Sequence, residues 1–232
     1  MKTTKLEWDS DFFNLSISKL EMNLNDSLDT LSNELSRSSD IDLYYIFTPN
    51  DYEDIELANL TKVDEKIVFG ADISHLPIVE CHSIDEYDKN LCKIKDLYNL
   101  AYESGKYSRF LLDDNFKEEQ FKALYRTWIN KSVSGEMADV IFCYQDSKEL
   151  LGMLTLKVDN QVAEIGLVGV SAKLQGKGIG KQLMSKVRQY AENKNIKEII
   201  VPTQSHNHIA CKYYMKCGFV EKRRTKIYHY WK

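Results

Sequence analysis

Gln175-Gly176-Lys177-Gly178-Ile179-Gly180 follows a strand-like run at 162–170 and opens an amphipathic helix whose Ile179, Leu183, Val187, Tyr190 and Ala191 share one face. Three glycines at alternate positions let the backbone turn sharply and leave several N–H groups with no Cβ in front of them. Those donors, added to the positive end of the helix dipole, make a site for a phosphate-bearing ligand. Lys173, Lys177 and Lys181 add charge around it. A Walker loop would need glycine at 175 and Ser or Thr at 182, where the chain has Gln175 and Gln182. The dinucleotide fingerprint, started at Gly176, would need glycine at 181 and meets Lys181. The bland alternative is a glycine-rich turn that merely starts a helix.

Working outward, runs at 139–145, 150–157 and 162–170 alternate as strands. The turn chemistry of Asp146-Ser147-Lys148 and Asp159-Asn160 predicts that they form an antiparallel meander. Before them lie a strand at 78–81 and two helical patterns, one on Tyr87, Leu91, Ile94, Tyr98 and Ala101, the other on Phe121, Leu124, Trp128 and Ile129. After the loop helix come a strand at 198–203, a short helix near 210–216 and a closing strand pair ending at 228–231, with Lys222-Arg223-Arg224 as a solvated turn. The N-terminal third reads as α/β. It has a helix on Leu24, Leu28, Leu31 and Leu35 with Asp26 or Ser27 as cap, a strand at 43–47, a short helix at 55–60 and a strand at 62–69. Gly70 to Pro77 is the expected boundary, giving a small α/β domain over 1–75 and a larger one over 76–232. The class is α+β: a mixed, mostly antiparallel sheet flanked by helices.

Thirty residues beyond the loop stands Asn207-x-x-Ala210-x-x-Tyr213-Tyr214-x-x-x-Gly218-Phe219. Asn207 can cap a helix, Ala210 leaves room beside it, and Gly218 permits a left-handed ending. Tyr214 is the candidate proton donor by its chemistry, the alternative being aromatic packing in a chain with 14 tyrosines, and Tyr213 is read as structural. The two motifs, Q/R-x-x-G-x-G/A and N-x-x-A-x-x-x-Y-x-x-x-G-F, resemble the pyrophosphate loop and closing segment of the GNAT N-acyltransferase superfamily, over about Ile78 to Lys232. Trp8-Asp9-Ser10-Asp11-Phe12-Phe13, the small N-terminal domain and Ser108-Arg109-Phe110 resemble the dTDP-fucosamine N-acetyltransferase branch, which acylates a nucleotide-linked amino sugar. Tyr45–Phe69 loosely repeats the strand–loop–helix–strand order of Ile199–Tyr228 and is read as a degenerate half-GNAT buttress.

The resemblance implies acetyl-CoA lying between splayed fourth and fifth core strands, 162–170 and 198–203. Its contacts would be backbone groups of Val168 and Val170, the loop residues Gln175, Gly176, Lys177, Gly178, Ile179, Gly180 and Lys181, and the Asn207 amide. An acceptor amine would attack the thioester directly, with Tyr214 as acid to the leaving sulfur, so neither Cys211 nor Cys217 needs to be a nucleophile. Glu164 and His82 are candidate bases, each read more readily as a surface or packing residue. Arg109, with Phe110, would hold substrate phosphate or else is a solvated helix-end arginine, and Trp8, Phe12 and Phe13 pin the N-terminus or stack a base or sugar. The function implied is N-acetylation of a small amine such as a nucleotide-linked amino sugar. The alternatives are a protein or peptide amine acetyltransferase and a non-catalytic acyl-CoA-binding module.

Composition narrows the partners. At 232 residues, 43% hydrophobic and 28% charged, the chain can bury a real core and is neither disordered nor fibrous. Its net charge of −4 argues against nucleic acid or an anionic membrane as partner. Five cysteines without a C-x-x-C pair suggest neither a zinc framework nor a disulfide scaffold, and no metal is expected. Glu7, Asp9 and Asp11 come before any apolar run, so no signal peptide is expected and the cytoplasm is the expected compartment. The terminal Tyr228-His229-Tyr230-Trp231 can cover a sheet edge or pair with a second copy as a homodimer.

Overall fold

The computed structural model describes residues 1–37, 39–146 and 149–232. They fall into two compact units, Met1–Ile67 with Arg223–Lys232, and Val68–Lys222.

The first unit contains β1 (Lys2–Lys5), α1 (Glu7–Phe13), β2 (Ile17–Glu21), α2 (Leu28–Arg37), β3 (Leu43–Pro49) and most of β4 (Leu60–Asp72). β1 and β2 are antiparallel, and β2 and β3 are parallel. Its core gathers Leu20, Met22, Leu31, Leu35, Tyr44 and Ile46. Ser27 Oγ accepts from Thr30 N, so the helix starts there and leaves Leu24 outside and exposed. The segment expected as a helix at 55–60 is not one. Ile55 is buried while Glu56 is exposed, so alternate residues face in and out, and the half-GNAT repeat lacks its helix. Phe13 is buried, whereas Trp8 lies on the surface, stacked on Phe12 at 5.1 Å between centroids.

The second unit holds β5 (Ile84–Glu86), α3 (Ile94–Ser104), α4 (Arg109–Leu112), α5 (Glu118–Val133), β6 (Val140–Asp146), β7 (Glu149–Asp159), β8 (Val162–Val170), α6 (Ile179–Asn193), β9 (Glu198–Gln204) and α7 (His208–Lys216). β6, β7 and β8 form the expected antiparallel meander. Of the expected Asp146-Ser147-Lys148 turn, positions 147 and 148 lie outside the described residues.

Two expectations here need correction. Residues 78–81 are not a strand but part of a strap laid along α6. Arg188 donates to the carbonyls of Ser74 and Leu76, Ser185 exchanges hydrogen bonds with both backbone groups of Val79, and Gln182 accepts from His82 N. Helix side chains thus satisfy the backbone that a neighbouring strand would have paired. The first helix is also shorter than expected, because Tyr87 and Leu91 precede it.

The chain closes with one long strand, β10 (Val220–Trp231), rather than a strand pair. Lys222-Arg223-Arg224 lies within it, with Lys222 paired to Glu198 and Arg224 to Glu65. From Thr225 to Trp231 it runs antiparallel to β3, with β4 on its other side, so it presents no edge to a second copy.

Candidate active site

The site begins where two parallel strands part. β8 and β9 pair at Val162–Glu198, Ala163–Ile199 and Glu164–Ile200, and no further rung joins them among the described residues. At the same level β8 bulges: Leu154 faces Val168 while Leu156 faces Ile165, which sets Gly166 and Leu167 together against Thr155. Beyond the bulge the register fixes which way the backbone faces. Ser171 N donates to Leu151 O at 2.8 Å, which makes Ser171–Leu151 a bonded pair of the antiparallel ladder. Bonded and non-bonded pairs alternate, so Val170–Gly152 and Val168–Leu154 are non-bonded pairs. The N–H and C=O of Val168 and Val170 therefore turn away from β7, into the gap that β9 has left.

Helices close both faces of the sheet beside this fork. A Cβ built on Gly169 would lie 2.5 Å from the Leu100 carbonyl, so α3 crosses β8 where no side chain fits. Gly152, whose own Cβ position faces Ile179 and Leu183, belongs to the opposite face and receives α6.

The glycine loop stands at the open end of the fork. Gly176 and Gly178 have φ of +80° and +86°, and nothing lies within 4 Å of a Cβ built on either. Among the described residues, the N–H groups of Gly176, Gly178, Ile179, Gly180 and Lys181 make no backbone hydrogen bond. These are the orphan donors of the α6 N-terminus plus two from the loop, the kind of backbone donor set that suits an anion. The other loop groups have work within the protein. Lys177 N bonds Leu174 O, and Gln175 Nε2 donates to Val170 O at 3.3 Å, so that side chain braces the loop against β8 rather than standing free for a ligand. Ile179 is buried and offers only its N–H, and Lys173 is paired with Glu149.

α7 supplies the fork's other wall. Asn207 caps it, its Oδ1 accepting from Ala210 N at 3.2 Å. Tyr213 is structural: its hydroxyl donates to the Gly180 carbonyl at 2.6 Å and its ring would lie 2.9 Å from a Cβ there, so only glycine allows α7 this close to α6. Tyr214 is 6% exposed, its ring held among Phe69, Tyr213 and Phe219. Its hydroxyl has no hydrogen-bond partner among the described residues, yet it is not one of the sealed polar atoms. Burial pushes its pKa well above the ordinary value, helped by Cys211 and Cys217 nearby. Both cysteines are buried, and burial also raises the Cys217 thiol, as suits packing residues.

Gly218 ends α7 at φ +91°, and a Cβ there would stand 2.4 Å from the His75 carbonyl oxygen. Gly218→Ala should therefore destabilise the fold by about 2–4 kcal/mol, from left-handed strain plus a collision with backbone that cannot swing aside. A urea titration with an unchanged midpoint would contradict this.

The remaining residues scatter. Phe110 is 6% exposed and packs edge-on against Phe116, so little of its ring is open to a ligand. Arg109 is half-buried at the start of α4, its guanidinium over the Phe110 ring at 4.7 Å. Glu164 is exposed beside the last β8–β9 rung, and His82 is exposed on the strap 3.3 Å from Glu80. His206 directly precedes Asn207 and belongs to neither motif. Its Nε2 lies 3.1 Å from the Tyr107 carbonyl. A carbonyl only accepts, so Nε2 carries the hydrogen and Nδ1 of the neutral ring is left as an acceptor. Among the described residues no three His, Cys, Asp or Glu side chains gather as a metal site requires, and no helix is long and apolar enough to cross a membrane.

The site thus combines a forked parallel strand pair, a loop of amides without backbone partners after its first strand and a buried tyrosine after its second. Comparison with known proteins agrees. Residues 94–219 match the acetyltransferase (GNAT) family, and the chain belongs to that family. It is 24% identical over 132 residues, 57% of its length, to the spore coat polysaccharide biosynthesis protein SpsD of Bacillus subtilis strain 168, of which it covers 45%. It is 34% identical over 73 residues, 31% of its length, to a streptothricin acetyltransferase of Escherichia coli, covering 42% of that protein. The chain thus spans less than half the length of both relatives. A solved GCN5-related N-acetyltransferase from Sphaerobacter thermophilus shares the fold, with a TM-score of 0.57 and 14% identity over 87% of this chain and 64% of that one.

Proposed function

We propose that this chain N-acetylates a small-molecule amine, specifically an amino sugar carried on a nucleotide, in the cytoplasm. When bound, acetyl-CoA supplies an acetyl thioester that the acceptor amine attacks directly. The observation that carries the seat of the reaction is the set of amides of Gly176, Gly178, Ile179, Gly180 and Lys181, which make no backbone hydrogen bond among the described residues and suit a diphosphate. The backbone groups of Val168 and Val170 hold the pantetheine arm, and one N–H there polarises the reacting carbonyl. The Tyr214 hydroxyl donates to the departing sulfur. Being well above its ordinary pKa, it stays protonated and acts chiefly as a strong hydrogen-bond donor to a thiolate whose own basicity rises in the same dry site. Arg109 is the side chain for substrate phosphate.

The sugar acceptor is supported by the similarity to SpsD, a polysaccharide biosynthesis protein. The 34% match to a streptothricin acetyltransferase favours a second reading, acetylation of another small amine. The test is acetyl-CoA turnover, read as free thiol, against a dTDP-linked amino-deoxyhexose, streptothricin and peptides with free amines. The sugar nucleotide should be used best. Turnover confined to peptides would overturn the small-molecule assignment, and turnover with streptothricin alone would favour the second reading.

A further inference from the structure

The bulge in β8 frees a backbone donor that the ladder no longer serves, and a side chain takes it. Leu167 N donates to Thr155 Oγ1 at 2.9 Å, and Thr155 is only 2% exposed. On its far side Thr155 is in register with Ile141 of β6, so the strand carrying that hydroxyl is fixed from behind. The hydroxyl fills the place of the ladder carbonyl that the extra residue displaced. A Cβ built on Gly166 would sit 3.0 Å from the same oxygen, so the outer residue of the bulge is a glycine where a side chain would press on this bond. The next backbone groups along β8 are those of Val168, whose direction depends on how the bulge is closed.

We propose that Thr155 is a positioning residue for acyl transfer: its hydroxyl locks the β8 bulge and so aims the Val168 and Val170 backbone groups into the fork. This rests on the reading that those groups hold the pantetheine arm of acetyl-CoA. Thr155→Val keeps the shape and removes the acceptor, leaving Leu167 N–H unpaired in a half-buried place. The bulge can then relax and the amides beyond it lose their common direction.

The experiment is calorimetric titration of the full chain with two probes, acetyl-CoA and adenosine 3′-phosphate 5′-diphosphate, which lacks the pantetheine arm. Thr155→Val should weaken acetyl-CoA about tenfold, the scale of one lost hydrogen bond, and leave the nucleotide probe unchanged. Thr155→Ser, which keeps the hydroxyl, should restore affinity for acetyl-CoA. Gly166→Ala, which crowds the same oxygen from outside the bulge, should repeat the selective loss and provides the test if Thr155→Val does not fold. Unchanged acetyl-CoA affinity in the altered chains, or equal weakening for both probes, would overturn the positioning role. Failure of the wild-type chain to bind acetyl-CoA is a separate result, seen in the first titration, and would overturn the site reading on which the proposal rests.

Discussion

Tyr214→Phe is expected to bind acetyl-CoA as the wild type does and to turn over about 100-fold more slowly. The substitution removes one oxygen from a ring whose packing against Phe69, Tyr213 and Phe219 is unaffected, so the fold and the fork should persist. A donor to a leaving group contributes roughly 10²–10⁴-fold, and Tyr214 offers such a hydroxyl with no competing protein partner among the described residues. Burial lifts that hydroxyl above its ordinary pKa of 10.0, so the acid form persists as the pH rises toward 10. The wild-type rate should accordingly show no falling limb from this group below about pH 10. Steady-state kinetics with the best acceptor measure both effects, and unchanged turnover in Tyr214→Phe would remove the residue from the chemistry.

Gly178→Val should weaken acetyl-CoA binding by about 100-fold or more while barely changing the melting temperature of the free protein. Gly178 sits at φ +86° and ψ −3° as the N-cap of α6, with open space where a Cβ would go. A β-branched residue held there costs on the order of 1–3 kcal/mol, so the exposed loop would rearrange to escape the strain. That rearrangement turns away amides whose charge-assisted bonds to a diphosphate are worth about 1.5–3 kcal/mol each. Calorimetry decides: normal affinity in Gly178→Val would mean that this loop does not hold the ligand.

The difference between what the residues disclosed and what they hid lies in range along the chain. The meander, α5 and α6 follow from periodicity within each segment, and the loop was legible because a left-handed φ is a local property that glycine announces. The strap at 76–82 was hidden because it reads as an apolar run, while Arg188, Ser185 and Gln182, about a hundred positions later, decide its conformation. β10 was divided by its basic Lys222-Arg223-Arg224 run, which only the partners Glu198 and Glu65 make tolerable within a strand. The Asn207 cap and the placing of Tyr214 on α7 were readable from a spaced motif. The burial of Phe110 was hidden because its neighbour in space, Phe116, lies six residues on. Thr155 and His206 carried no local signal, since each acts through a backbone group on a distant segment.

The central claim, that free amides at the start of α6 hold the diphosphate of coenzyme A, is tested most directly by amide NMR during a titration with CoA. The account predicts large downfield shifts at Gly176, Gly178, Ile179, Gly180 and Lys181, reduced when the added ligand is pantetheine without its diphosphate. Saturable CoA binding with those five resonances unmoved would contradict it.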